Sequence, residues 1–299
     1  GALSAEVAGR KNTAVGYRAL NVQNNDADNY NVAVGYDAGL NVTTGIKNTL
    51  IGGLAGSALT SGGENVAIGY AALISETANG RNVAIGKSAL TTQEAGSEAY
   101  NIAVGYEAGK LITTAVRNTI IGGLAGDAIT TGGDNVVLGY NSLGSNTIGN
   151  SNVAIGKDAM TVNVAADRNV AVGLGSLQNM TSATTLDMYN TAVGYYTGNS
   201  ISSGKQNTLI GGLAGDALTD ADRNVAVGYL ALSTETSGYR NVAIGTEALM
   251  TQDGGNYNTA IGDSAGESIT TGDNNAIVGG LAGDAITTAS ENVLIGYDS

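Results

Sequence analysis

The sequence predicts an all-β fold, a parallel β-solenoid or β-roll of about 17 coils with 17 residues each, spanning residues 1–299 as a single repeat domain. Three observations carry that prediction: a motif that recurs at a fixed interval, an alternation within it that suits a strand, and turn-forming residues between copies. The motif is Asn, then Val, Thr, Ile or Ala, then an apolar residue, then Val, Ile or Leu, then Gly. Its Asn falls at 12, 31, 48, 65, 82, 101, 118, 135, 152, 169, 190, 207, 224, 241, 258, 275 and 292. Thirteen of the sixteen spacings are 17 residues, two are 19 and one is 21. A unit this short cannot hold a helix pair. Each insertion adds an even number of residues, which leaves alternating side chains on their own faces. One period from end to end predicts no internal boundary. The chain begins without Met and stops inside a repeat, so it reads as a fragment of a longer protein.

With the Asn counted as position one, the elements of a coil follow in order. Asn12, Asn31, Asn48, Asn65, Asn82, Asn101, Asn118 and their successors are expected to form a ladder of amides, each bonding to the next rung. Positions two to four, such as Val66-Ala67-Ile68, alternate as a short strand. Gly at position five of all 17 coils predicts a turn that needs positive φ or close backbone approach. A corner follows, often opened by Tyr, then a second short strand such as Ala72-Leu73, then a return rich in Thr, Ser and Gly.

The run NTLIGGLAGSAL (48–59), repeated in near-copy at 118–129, 207–218 and 275–286, invites comparison with a phosphate-binding loop. No helix pattern follows it, and no Lys-Ser/Thr completes it. Aligning the coils explains it better. Eight coils carry Leu or Met at position nine, as in Leu73 and Met160; in the others position nine is Gly and an aliphatic stands at position twelve, as in Leu59 and Ile129. Each complete coil thus supplies one large residue to the second side of a thin core, at either of two places.

Composition narrows the function. The chain holds no Cys, His, Trp, Phe or Pro, so the usual general base and thiol nucleophile are missing, and no carboxylate pair stands apart from turn chemistry. No enzyme is expected. A net charge of −13 disfavours nucleic acid and anionic membranes, and no apolar run is long enough for a transmembrane helix. Asp127, Asp216 and Asp284 follow GGLAG as turn formers rather than Ca²⁺ ligands, so no cofactor is expected.

Position three is Ala in eleven coils and Leu, Ile or Val in six, with no polar residue in 17. If positions two and four point into the coil, position three points away from it, and a strand apolar on both faces is covered on both. The expected cover is the same strand from sister chains around a shared axis. Ala14, Ala33, Leu50, Ala67, Ala84, Ile120, Leu209 and Ile277 are then the candidates to face that axis.

NVAIG, at 65–69, 82–86, 152–156 and 241–245, resembles the repeat of the left-handed parallel β-roll in trimeric autotransporter adhesin heads. NTAVGY, NVAVGY and NTLIGGLAGDAL resemble repeat regions of bacteriophage tail fibres, marine ones in particular. The resemblance covers essentially the whole chain. It implies left-handed coils, a homotrimer with Ala at the threefold axis, and a structural shaft of an extracellular fibre. That shaft would be a tail fibre in the virion tail, taking part in host attachment. The alternative it implies is a trimeric adhesin on the bacterial cell surface, binding glycan or matrix protein through its flank. The adhesin heads use shorter coils, which leaves their packing open here.

Two tyrosine sets remain. Tyr17, Tyr36, Tyr70, Tyr106, Tyr140, Tyr195, Tyr229 and Tyr297 stand at position six, where they cover a corner or stack against sugar rings. Tyr30, Tyr100 and Tyr189 close the inserted segments 21–30, 91–100 and 178–189, and Tyr257 closes the same corner without an insertion. Loops on a rigid scaffold are common binding elements, so these four are the candidates to face a receptor, a host glycan or protein. The plainer reading of the insertions is tolerated variation at the surface.

Overall fold

Every motif copy opens its coil with a three-residue strand in the computed structural model, which describes residues 1–5, 9–181 and 184–299. Contacts gather the chain into two compact units, Gly1–Asn150 and Ser151–Ser299. In the first, strands from Thr13–Val15 to Val136–Leu138 lie side by side, parallel and in register. In the second, strands from Val153–Ile155 to Val293–Ile295 do the same. Strands that are consecutive along the chain are neighbours in the sheet, as a parallel solenoid requires. The even-numbered insertions leave the register intact: Val83 still pairs with Ile102 and Val170 with Thr191. Within the longest insertion, residues 182 and 183 lie outside the described residues. Its far side adds a small parallel pair, Ala166–Asp167 with Leu186–Asp187.

The amide column ties each rung to the next. The side-chain Oδ1 of Asn31 accepts from the backbone N–H of Asn48 at 2.8 Å, and Asn48, Asn65, Asn82 and Asn101 repeat the contact at 2.9–3.1 Å. Asn12 does the same toward Asn31. The other amide atom closes the coil: Nδ2 of Asn31, Asn48, Asn101 and Asn118 donates to the carbonyl 14 residues on. Every ladder Asn from Asn31 to Asn275 is buried, so each bond is made away from water and leaves a costly orphan if lost.

The second short strand is not formed. Positions seven and nine, such as Ala71 and Leu73, lie in the left-handed region, as does the residue before each Asn. Three left-handed residues per coil bend the chain too tightly for a second extended segment.

The orientation of the first strand also differs from expectation. Ala33, Leu50, Ala67, Ala84, Ile120, Leu209 and Ile277 are fully buried within the single chain, whereas positions two and four are half-buried or exposed. These residues therefore line the coil's own core and do not face a shared axis; Ala14, in the first strand, is half-buried with the same orientation. The reason is volume. A 17-residue coil encloses little space: Ala at three meets Leu at nine, as with Ala67 and Leu73, and Leu or Ile at three stands with Gly at nine in the GGLAG coils. Where both are small, as at Ala33 and Gly39, Leu20 and Leu50 of the neighbouring coils reach into the gap. A Cβ on Gly56 would crowd the side chains of Leu50 and Leu59, at 2.8 Å from each. The first Gly of GGLAG is the position-five turn, and the last makes room for the enlarged position three.

Position twelve holds what periodicity alone did not reveal. In five of the seven Leu-at-nine coils it carries Gln23, Glu76, Gln93, Glu235 or Gln252, and in the other two Asn146 and Met180, all buried. Glu76 accepts from the backbone N–H groups of Thr77 and Asn79 at 3.1 Å. Gln252 donates to Glu235 at 2.9 Å and accepts from the ladder residue Asn258 at 2.9 Å, so the carboxylate, the amide and the ladder form one satisfied network.

Candidate functional site

With position three inside, the strands present positions two and four outward. Position four is Val, Ile or Leu in all 17 coils, and position two is never charged. Ile51, Ile121, Leu138, Ile210, Ile244, Ile261 and Val278 are all more than a third exposed, and Ile102 and Val136 at position two reach 40 %. Each unit therefore displays an unbroken aliphatic column at position four along its sheet, with Thr the only polar residue beside it at position two. Isolated exposed aliphatics are ordinary; a contiguous strip marks a surface that another surface covers.

A second surface lies at the corner before the Asn. Tyr30 and Tyr100 stand four coils apart in the first unit, about 19 Å at the strand spacing, and Tyr189 and Tyr257 stand four coils apart in the second. All four rings are about half exposed. Each is held by a cation from the start of the same coil. Lys11 donates to the Tyr30 hydroxyl at 2.8 Å and sits 4.9 Å from its ring centre. Arg81 donates to the Tyr100 hydroxyl at 2.6 Å, Arg168 lies 5.9 Å from the Tyr189 ring, and Arg240 bonds the Tyr257 hydroxyl. The inserted segments add a carboxylate two residues before the Tyr. Asp28 pairs with Lys11 at 2.7 Å, Glu98 with Arg81, and Asp187 with Arg168.

These clusters continue into charge ladders: Lys47, Glu64, Arg81 and Glu98 alternate in sign along successive coils. The Arg81 guanidinium, followed by Lys47, holds the Glu64 carboxyl below its ordinary range, and the hydrogen bond from Lys11 does the same for Asp28. Both sites are exposed, so these pairs fix the corner's geometry more than they stabilise the fold. A shallow depression of about 230 Å³ opens beside them, lined by Glu64, Asn79, Arg81 and Glu98.

Sequence reasoning placed the four tyrosines at one kind of corner and missed their cations. The signal was present, because Lys or Arg directly precedes the ladder Asn in each coil that ends in such a Tyr (Lys11, Arg81, Arg168, Arg240). The clamps spend the phenol oxygens on partners within the chain and leave part of each ring to solvent. Among the described residues no three acidic or other ligating side chains converge as a metal site. Asp127 and Asp216 stand singly, their carboxyls pushed up by burial. No helix among the described residues is long and apolar enough to cross a membrane. No family model matches the chain, and no curated protein or solved structure matches it either.

Proposed function

We propose that the chain is the structural shaft of an extracellular fibre, a homotrimer of left-handed coils, and that the fibre is a bacteriophage tail fibre taking part in host attachment. The observation that carries this reading is the uninterrupted aliphatic column at position four, flanked at position two by Val, Ile, Ala or Thr. A free-standing solenoid would gain solubility from Lys or Glu there; position two takes Thr in six coils, but neither position carries a charge in any of the 17. Sister chains covering that strip against one another give it the burial it lacks alone. The sequence resemblance supplies the threefold symmetry, the handedness and the virion tail as location. The half-exposed tyrosine corners favour a second reading, a trimeric adhesin of the bacterial cell surface that engages a glycan or protein through its flank. Flanking sequence separates the two: a C-terminal membrane barrel marks the adhesin, and a baseplate-attachment region marks the fibre.

Association is the measurable core of the proposal. Replacing Ile85 and Ile121 together by Lys puts two charges per chain into the strip while leaving the coil interior untouched. The double variant is expected to sediment as a single folded chain, with the parent's circular dichroism, because each unpaired charge in a dry interface costs several kcal/mol. Unchanged association would rule out the strip as the interface.

Salt gives an independent check. Three chains together carry −39, three times the −13 of one. Their mutual repulsion is screened as the Debye length falls from about 30 Å at 0.01 M salt to about 10 Å at 0.1 M. Assembly is expected to tighten over that range; steady weakening with added salt would point to ionic contacts between chains instead.

A further inference from the structure

Position six forms an outward ridge, broken in every GGLAG coil by the second glycine of the run. In the first unit the order is Tyr36, Gly53, Tyr70 and again Tyr106, Gly123, Tyr140; in the second it is Tyr195, Gly212, Tyr229. All six rings are at least half exposed. Gly280, in the last GGLAG coil, stands instead between Asp263 and Tyr297.

Nothing in the fold requires glycine at these gaps. Gly53, Gly123 and Gly212 do not have the positive φ of the position-five glycines beside them. A Cβ there would meet ring carbons of the following Tyr at 3.5, 3.8 and 3.6 Å, and at Gly53 also the Tyr36 carbonyl oxygen at 3.9 Å, all of it ordinary contact. Elsewhere the same position carries Lys87, Lys157 or Leu174. Adjacent tyrosines are tolerated too, since Tyr17 stacks on Tyr36 at 5.5 Å and 15°. The glycine therefore keeps open a space that neither the backbone nor the packing needs.

The walls of that space are pre-set. Tyr36 is held from the preceding coil by the Tyr17 stack and by Arg18, 6.0 Å from its ring centre. Lys87 lies 5.5 Å from the ring of Tyr106, and Tyr196 meets Tyr195 edge-on at 4.5 Å. The following Tyr leans toward the glycine from the other side. The two tyrosine positions are two coils apart, about 9.6 Å, enough for one saturated ring between or across them.

We propose that each Tyr-Gly-Tyr notch binds a pyranose ring of a neutral glycan. Aromatic faces backed by their own chain offer contact area at little entropic cost, and they suit the apolar face of a sugar whose hydroxyls reach the phenols at the rim. The net charge of −13, with Glu107 beside Tyr106, excludes uronate-rich or sulfated chains as the preferred class. In the first unit the two notches repeat after four coils, about 19 Å, so one extended oligosaccharide can engage both and gain avidity. The notch is complete within one chain and does not rest on assembly, so sedimentation and sugar binding can fail separately.

The full 299-residue chain is titrated with cellohexaose, maltohexaose and lacto-N-tetraose, read by saturation-transfer NMR and by tyrosine emission, which no Trp obscures. At least one neutral oligosaccharide is expected to bind more tightly than an oligogalacturonate of equal length. The triple variant Gly53→Ala, Gly123→Ala, Gly212→Ala is expected to keep its circular dichroism and melting temperature while binding weakens at least about fivefold. Tyr36→Ala, Tyr106→Ala and Tyr195→Ala together are expected to weaken it further. No binding by any neutral probe, binding indifferent to the glycine variants, or binding lost on Tyr30→Ala and Tyr100→Ala instead would each overturn the assignment.

Discussion

Gly86→Ala is expected to break the first unit. Gly86 sits at φ +134, a region essentially closed to other residues, and a Cβ there would be driven into the carbonyl oxygen of Gly105 in the next coil, well inside van der Waals contact. The backbone strain alone is worth about 1–3 kcal/mol. The collision with a backbone atom that has nowhere to move adds to it, and a coil pushed off its neighbour removes ladder bonds on both sides. Gly296→Ala is the internal control. It has nearly the same φ, +136, but the nearest atom to its Cβ would be the Ser299 side chain at 3.8 Å. Thermal unfolding followed by circular dichroism should show a large loss for Gly86→Ala and a small one for Gly296→Ala. Equal losses would mean that φ alone matters and that the close approach of successive coils does not.

Ala84→Glu has the next largest expected effect. Ala84 is fully buried inside its own coil, with Leu90 filling the opposite side. A carboxylate there has no room to reach water, and an unpaired buried charge costs several kcal/mol. The single chain is expected to lose its folded coils, whatever its state of association. The outward neighbour Ile85→Glu should leave the single chain folded and remove only association. Circular dichroism with sedimentation separates the cases. A folded but unassembled Ala84→Glu chain would place position three at an interface between chains, against its burial inside the coil.

The three glycines of GGLAG answer to different demands. Its first glycine answers a backbone demand at position five. Its last, at position nine, leaves space for Leu50, Ile120 or Leu209. Only the middle glycine answers neither demand, which is why it marks a candidate binding notch.

The sequence by itself determined the period, the parallel register and the axial amide column. All three follow from covalent spacing: a repeat of 17 with even insertions returns every residue to the same face of the next coil, and a residue type recurring at one position must stack on itself. It also located the corner tyrosines, and it held the Lys and Arg that clamp them, legible once the residue before each Asn is traced to the end of its coil. The tertiary structure alone decided which side of the strand is inside. Alternation separates position three from positions two and four, but when both sides are apolar no pattern says which is covered by the chain's own fold. That choice belongs to volume: the interior of so short a coil accepts Ala67 against Leu73, or Leu50 beside Gly56, and has no room for Val66 and Ile68 as well. The β-branched residues are left outside because the closed coil is too narrow to hold them, a fact about three-dimensional closure that no linear pattern contains.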